Sequence, residues 1–171
     1  SKLRTFSDGW RHLRFILLYS PFFLFMLPGF TLFLTGILSM GLLYFFEIKI
    51  FGIQFYIHPM FLSSLLILVG YQLIFFAGFA KVYAVTHLGD EDKLISNLFK
   101  YITIEKAGLI GILITILGTI IYVFIFIKWI SSGLGSLNET KNSIVALTLI
   151  TLGIETLFSA FMLSIVGIKE K

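Results

Sequence analysis

Residues 107–127 read AGLIGILITILGTIIYVFIFI and contain no charged side chain. A helix needs about 20 mostly apolar residues to cross the hydrocarbon core of a bilayer, so this stretch predicts a membrane-spanning helix. Three other stretches have a similar length and character. The sequence therefore predicts four spans, at about residues 21–46, 60–83, 107–130 and 144–168. We expect an all-α membrane protein whose transmembrane helices pair as two hairpins.

The amino-acid composition agrees with a membrane protein. Hydrophobic residues make up 58% of the chain and charged residues only 13%, with a mean hydropathy of +1.00. Soluble domains carry about 25% charged residues, so lipid is the expected solvent for most side chains. The chain has no cysteine, which excludes disulfides and thiolate metal sites. No basic patch interleaved with aromatic residues on a soluble fold is present, so we expect no nucleic-acid partner.

The basic residues are distributed unequally between the two sides of the predicted spans. One side holds three of them, Lys49, Lys128 and Lys141. The other ten of the 13 Lys and Arg residues lie near the N-terminus, in the middle connection and at the C-terminus. Cytoplasmic loops carry the excess of Lys and Arg in membrane proteins. We therefore expect a multi-pass protein of the cytoplasmic (inner) membrane with both termini in the cytoplasm.

Two segments outside the spans have the pattern of amphipathic helices lying on the cytoplasmic face of the membrane. In residues 1–20, which we call the strap, Trp10, Leu13 and Leu17 recur at helical spacing. Such an interfacial helix places apolar side chains at the acyl boundary and basic side chains at the lipid phosphates. Residues at about 90–103 show a similar apolar stripe flanked by lysines.

The second and fourth spans resemble each other in sequence. Residues 70–77 (GYQLIFFA) and 153–160 (GIETLFSA) share Gly, Gln or Glu, Phe and Ala in register. The first and third spans correspond only faintly, around Tyr44 and Tyr122. One interpretation is a pair of hairpins in the same orientation, related about an axis along the membrane normal. The other is chance similarity between apolar helices.

Two polar side chains, Gln72 and Glu155, are predicted to lie inside the membrane. A charged carboxylate there costs about 2.5–3.5 kcal/mol on insertion scales and is often functional. In one interpretation Glu155 stays protonated and hydrogen-bonds a neighbouring helix, with Gln72 as its partner. In the other it has a proton-coupled role. The first interpretation is favoured because no relay of further acids accompanies Glu155.

The chain contains no recognisable set of catalytic residues. Asp90-Glu91-Asp92 spells D-x-D, a pattern that can hold a divalent metal in an α/β domain. Here it opens a predicted helix, where acids in the first turn are favourable. No Ser/His/Asp arrangement, phosphate-binding glycine loop or dinucleotide fingerprint is present in the sequence. We therefore expect bond-making chemistry and any metal site to lie outside these 171 residues.

The N-terminal segment 1–29 reads SKLRTFSDGWRHLRFILLYSPFFLFMLPG. It resembles the segment that follows the catalytic domain in family-two membrane glycosyltransferases acting on polyprenyl phosphates, of the dolichol-phosphate mannose synthase and bactoprenol glucosyltransferase types. Ser1-Lys2 match the end of the R…G-x-SK motif that closes that domain. The DGWRHLRF and YSP…LPG blocks match the variety with four spans. The AKVYA stretch at 80–84 and residues 158–167 extend the resemblance over most of the chain.

The resemblance implies a parent enzyme that transfers a hexose from a nucleotide sugar to a polyprenyl (dolichyl or undecaprenyl) phosphate. Residues 1–20 would be the tail of a catalytic domain missing from this chain. Residues 21–171 would be a transmembrane module that anchors this domain and positions the lipid acceptor. The implied partners are membrane lipid, the polyprenyl phosphate and the upstream catalytic domain, with a homo-oligomer left open. The implied cofactor, Mg or Mn, would bind in the missing domain.

Four residues are candidates for contact with the phosphate of the lipid or of the donor. The resemblance implies this role for Ser1 and Lys2. Arg11 and Arg14 fit it on physical grounds, because their guanidinium groups are expected at headgroup level. Ordinary contact with anionic lipids is the competing interpretation for both arginines. The alternative to the whole assignment is a stand-alone membrane protein, either a flippase or transporter of lipid-linked sugars or a structural subunit.

Overall fold

The computed structural model describes residues 9–12, 21–46, 49–50, 53–54, 57–87 and 104–168. Four long helices form most of it: α1 (Pro21–Phe45), α2 (His58–His87), α3 (Ile104–Ser131) and α4 (Thr140–Val166). The shortest has 25 residues, which at about 1.5 Å per residue exceeds the roughly 30 Å core of a bilayer. Each helix is apolar enough to cross a membrane. The predicted four-span, all-α membrane fold is therefore confirmed.

A short antiparallel ladder lies between α1 and α2. It consists of β1 (Lys49–Ile50) and β2 (Ile53–Gln54), with Ile50 opposite Ile53. Hydropathy could not predict this ladder, because two residues per strand give no alternation to detect.

The two predicted amphipathic helices fall largely outside the described residues. Within the strap, residues 9–12 are described, and they form a helical turn. The predicted helix at 90–103 lies wholly outside the described part of the chain. Both interfacial helices therefore stay predictions.

Glycines bring α1 and α2 into backbone contact. A Cβ atom added to Gly70 of α2 would lie 2.7 Å from Gly29 O of α1. A Cβ atom on Gly36 would lie 2.7 Å from Ile67 N. Because real Cβ atoms essentially never come that close to other atoms, only glycine permits this helix separation. Small residues are the usual means of tight helix packing in membranes, where lipid removes the hydrophobic driving force between helices.

The second hairpin, α3 and α4, repeats these contacts. A Cβ atom on Gly153 would lie 2.6 Å from Gly111 O, and a Cβ atom on Gly118 would lie 2.7 Å from Ala146 O. A shift of 82 residues carries Gly29 and Gly36 of the first hairpin onto Gly111 and Gly118.

A shift of 83 residues likewise carries Gly70 onto Gly153, as the sequence alignment of the second and fourth spans predicted. The faint Tyr44–Tyr122 correspondence is wrong, since a shift of 82 places Tyr44 at the position of Phe126. The two hairpins therefore have the same helix register, which supports an internal repeat over chance similarity.

The hairpins meet along α2 and α4, which run in the same direction. Moving along both helices, the hydrogen-bonded pairs are Ser64–Thr148 (2.7 Å between hydroxyls), Tyr71–Thr156 (2.7 Å) and Thr86 Oγ1 to Val166 O (3.1 Å). Because residue numbers rise together in both helices, the hairpins are parallel, as expected for a repeat about the membrane normal.

A buried apolar cluster joins the hairpins at the Phe45 end of α1. Its members come from α1, α2 and α4 and are Met40, Leu43, Met60, Ile67 and Ile144. Large apolar side chains remain exposed along α1 and α3, as suits helices that face lipid.

Candidate functional site

Arg11 is the one predicted phosphate-contact residue within the described part of the chain. It lies on the helical turn of residues 9–12 and is exposed, next to Trp10, whose side chain is 58% exposed. Successive residues of an α-helix point about 100° apart, so the ring and the guanidinium group occupy different faces. That arrangement suits an indole at the acyl boundary and a cation at the headgroups. Ser1, Lys2 and Arg14 lie outside the described residues.

The end of the bundle at which α2 and α4 finish carries a small polar cluster. Thr86 Oγ1 lies within hydrogen-bonding distance of two carbonyl oxygens that can accept its one hydrogen, Val82 O (2.8 Å) and Val166 O (3.1 Å). It also lies 2.7 Å from Nδ1 of His87. The ring of Tyr83 stacks on the His87 imidazole with centroids 4.7 Å apart. A histidine in the last turn of a helix faces the negative end of the helix dipole. This cluster links the C-terminal ends of α2 and α4, and the sequence pattern did not single it out.

The structure gives Glu155 a different environment from the one predicted. Its Oε2 atom is buried and has no hydrogen-bond partner among the described residues, so the expected bond to Gln72 is not formed there. A hydrogen bond between α2 and α4 forms instead one residue away on each helix, between Tyr71 and Thr156. Thr156 Oγ1 donates its hydrogen to Leu152 O (2.6 Å), so Tyr71 must be the donor in the Tyr71–Thr156 pair.

Polar side chains tie the opposite end of the bundle together. Lys128 at the end of α3 forms an ion pair with Glu139, which directly precedes α4. Asn142 of α4 donates to the other oxygen of Glu139 and accepts a hydrogen bond of 2.8 Å from the Tyr44 hydroxyl of α1. The Lys128 ammonium and the Asn142 amide hold the pKa of the Glu139 carboxyl below its ordinary value.

A second lysine strengthens the same end. Lys141 Nζ donates to Leu43 O at 2.8 Å, which joins α4 to the last turn of α1. We call this group of side chains the clasp; its members are Tyr44, Lys128, Glu139, Lys141 and Asn142. The clasp connects three helices from both hairpins. It was missed by sequence reasoning because Tyr44 is 98 residues from Asn142, its partner in α4.

Two cavities lie beside the clasp. The first, which we call the groove, has a volume of about 310 Å³ and is almost wholly apolar. Its lining includes Ile37, Met40, Gly41 and Tyr44 of α1, Ile67 of α2 and Val145 of α4. The second cavity, of about 420 Å³, lies between α3 and the start of α4 and has an aromatic wall. That wall consists of Tyr122, Phe126 and Trp129.

The described residues do not bring metal-ligating side chains together. Across residues 21–46, 57–87 and 104–168, no three His, Cys, Asp or Glu side chains lie close enough to share a metal ion. The side chains of this part of the chain therefore do not fit a divalent metal ion.

Comparisons with known proteins agree with this picture of a membrane module. The sequence profile described as "Glycosyltransferase family 2 C-terminal transmembrane region" matches residues 78–167, which cover the end of α2 and all of α3 and α4. The "Low-salt glycan biosynthesis hexosyltransferase Agl6" of Haloferax volcanii is 31% identical over 167 residues, or 98% of this chain. The chain spans 40% of the length of that relative. No solved structure matches the chain.

The resemblance predicted from the strap is thereby confirmed by matches that lie mainly in the spans. The chain belongs to the family of glycosyltransferase family 2 C-terminal transmembrane regions.

Proposed function

We propose that this chain is the membrane module of an enzyme that transfers a hexose from a nucleotide sugar to a polyprenyl phosphate. The observation that carries the proposal is the similarity to a hexosyltransferase over 98% of this chain, which leaves the larger part of that relative unmatched. A catalytic domain upstream of the strap would supply the bond-making residues. A family-two domain of this kind would bring the Mg or Mn ion that neutralises the diphosphate leaving group.

The module would act by bringing the two substrates to one face of the membrane. A nucleotide sugar is charged and stays in water, whereas a polyprenyl phosphate stays in lipid with its phosphate at the surface. An anchored catalytic domain meets the acceptor in two dimensions and in a fixed orientation, which removes much of the entropy cost of the encounter. The excess of basic residues on one side favours the cytoplasm for this face and for both termini.

Arg11 fits the role of a phosphate ligand at that face. A guanidinium group binds phosphate through two parallel N–H···O bonds, which adds geometric specificity to the charge. The exposed turn of residues 9–12 leaves the Arg11 side chain accessible to a lipid headgroup. We include Ser1, Lys2 and Arg14 in the same proposed site on the grounds of the family motif and the helical spacing of the strap.

The contacts between the hairpins favour an anchoring role over transport. The hydroxyl groups of Ser64, Tyr71, Thr148 and Thr156 are bonded to one another in pairs across the α2–α4 contact. Polar groups that satisfy each other between two packed helices stabilise the contact. A flippase for lipid-linked sugars would instead need such groups to line a path for its substrate.

The test of the proposed phosphate site uses the full-length protein with its own catalytic domain. We expect the double substitution Arg11→Gln and Arg14→Gln to raise the KM for the polyprenyl phosphate about tenfold. A charge-assisted phosphate contact is worth roughly 1.5–3 kcal/mol, and other contacts between the protein and the lipid replace part of the binding energy that is lost. The KM for the nucleotide sugar should stay constant.

Lys49→Gln is the control for loss of a positive charge, because Lys49 lies in β1 between α1 and α2, at the opposite end of α1 from the strap. It should leave both KM values unchanged. An unchanged KM for the lipid phosphate in the arginine variant would remove Arg11 and Arg14 from the proposed acceptor site.

A further inference from the structure

We propose that the second cavity, which we call the aromatic cavity, binds the headgroup of a zwitterionic phospholipid such as phosphatidylethanolamine. The inference goes beyond the proposed function and does not depend on catalysis. The aromatic cavity lies at the Lys128 end of the bundle. Its lining comes from the last three turns of α3, the connection to α4 and the first turn of α4.

The length of α3 places the mouth of the aromatic cavity at the boundary of the hydrocarbon core. The uncharged residues 107–127 of α3 cover about 30 Å at about 1.5 Å per residue, which matches the thickness of that core. Lys128 directly follows them and therefore lies at the level of the lipid phosphates. Trp129 suits the same level, because tryptophan is enriched at the interface between membrane and water.

The polarity of the lining changes with depth as it does along a lipid molecule. Tyr122 and Phe126 precede Lys128 by about 9 and 3 Å along the helix axis, at about 1.5 Å per residue. Their rings line the cavity at the depth of the glycerol and the first acyl carbons. The Glu139 and Thr140 side chains line it where α4 begins, level with Lys128.

Two opposite charges at the mouth match the two charges of a zwitterionic headgroup. Lys128 forms an ion pair with Glu139, and its side chain is 63% exposed, so a lipid phosphate can reach it. A carboxylate oxygen can accept more than one hydrogen bond, so Glu139 can bind the headgroup ammonium and keep its contact with Lys128. An anionic phospholipid offers the same phosphate to Lys128 but no cation to Glu139.

The aromatic wall adds attraction for the same ammonium group. A cation over the face of an aromatic ring is attracted by the ring electrons, and most strongly by those of tryptophan. Trp129 Nε1 donates to Gly135 O at 3.0 Å, and its ring lies 6.0 Å from that of Phe126 between centroids. These contacts fix the indole beside the cavity. The C-terminal end of α3, where Trp129 lies, also carries the negative end of the helix dipole.

The corresponding end of the first hairpin has no such polar mouth. The shift of 83 residues that relates α2 to α4 carries Thr140 onto Ile57 and Ser143 onto Met60. Met60 is fully buried in the apolar cluster, and Ile57 packs against that cluster. The groove beside the cluster has no charged residue in the described part of its lining. The charged and aromatic site is therefore particular to the second hairpin.

The repeat also supplies the test substitution. Ser143→Met fills the aromatic cavity with the side chain that stands at the equivalent position of the first hairpin. Thr151→Met is the matched control, because Thr151 is exposed to lipid two turns further along α4. Both hydroxyl groups donate to the carbonyl oxygen four residues earlier, at 3.1 Å for Ser143 and 2.9 Å for Thr151.

The full-length protein in detergent is titrated with phosphatidylethanolamine and with phosphatidylglycerol of identical acyl chains, and bound lipid is measured by native mass spectrometry. We expect the wild type to bind phosphatidylethanolamine about tenfold more tightly, since it alone offers an ammonium group to Glu139 and the rings. Ser143→Met should remove most of this preference, and Thr151→Met should keep it. Glu139→Gln should also reduce it, whereas Glu105→Gln, at the other end of α3, should not.

Equal binding of the two lipids by the wild type, or tighter binding of phosphatidylglycerol, would overturn the proposal. An unchanged preference in folded Ser143→Met would do the same, because the lipid would then bind elsewhere.

A crosslinking measurement on the wild type covers the case in which Ser143→Met fails to fold. Phosphatidylethanolamine with a diazirine near the glycerol end of one acyl chain should label the chain within residues 122–143. Unlabelled phosphatidylethanolamine should compete, and phosphatidylglycerol should not. Labelling spread along the lipid-facing sides of α1 and α3 would show ordinary surrounding lipid and contradict a site in the aromatic cavity.

Discussion

Replacing Gly70 by alanine tests the helix packing on which the fold depends. The new Cβ atom would lie 2.7 Å from Gly29 O, and ordinary contacts begin at 3.4 Å. The helices must therefore separate by at least about 0.7 Å at this point, and by more to relieve the even closer contact with the backbone of Phe33. Overpacking of this kind costs about 1–3 kcal/mol, and in lipid no hydrophobic force between helices compensates for it.

We expect Gly70→Ala to lower the free energy of unfolding by about 2 kcal/mol relative to Gly78→Ala. The Gly78 control matters because alanine is intrinsically favoured over glycine in helices, and a Cβ atom at Gly78 meets nothing within 4 Å. Denaturant titration of the detergent-solubilised chain, followed by circular dichroism, measures both variants.

The repeat makes a parallel prediction for Gly153→Ala, which should be destabilised by a similar amount, since its Cβ atom would lie 2.6 Å from Gly111 O. Equal stability of Gly70→Ala and Gly78→Ala would refute the close glycine contact between α1 and α2.

Three further predictions concern the polar groups of the bundle. Lys128 and Asn142 lower the pKa of Glu139 in the folded chain. The stability that the ionised Glu139 carboxylate contributes is therefore present above the ordinary carboxyl pKa and is lost as the pH falls through the folded value. Thermal melts should show a higher melting temperature for the wild type than for Glu139→Gln at pH 6, and this difference should be lost toward strongly acidic pH, about the range in which a carboxyl titrates. A difference in melting temperature that stays constant over this range would exclude the ion pair. A double-mutant cycle of Tyr71→Phe and Thr156→Val should give a coupling energy of about 0.6 kcal/mol, the average for bonds between membrane helices; zero coupling would show that the hydroxyl groups do not interact. Glu155→Gln should keep both membrane insertion and hexose transfer, and loss of transfer in correctly inserted protein would favour the proton-coupled interpretation.

The helices and their pairing were accessible from the sequence, because uncharged stretches of sufficient length have few alternatives to spanning a membrane. The register of the second and fourth spans was also readable, since Gly70 and Gly153 occur in matching segments. The first and third spans were misaligned, because most of their residues are apolar and give little information on register. The glycines at 29 and 36 carry that information only once their contacts are known.

The polar contacts could be predicted less well. The sequence pointed to Gln72 and Glu155, yet the bond that forms joins Tyr71 to Thr156, one residue away on each helix. A step of one residue turns the side-chain direction by about 100° around the helix axis. The sequence of a helix that is apolar on all faces does not indicate which face packs against the neighbouring helix. The clasp depends on Tyr44 and Asn142, which are 98 residues apart, so only the folded chain brings them together.

The measurement that tests the central claim most directly is the identity of the product. Full-length protein in vesicles with undecaprenyl phosphate would be supplied with nucleotide hexoses, and the lipid extract analysed by mass spectrometry. We predict a lipid with the mass of the polyprenyl phosphate plus one hexose, whose formation requires both substrates. Failure of well-folded, membrane-inserted protein to form this lipid with any nucleotide hexose would contradict the account.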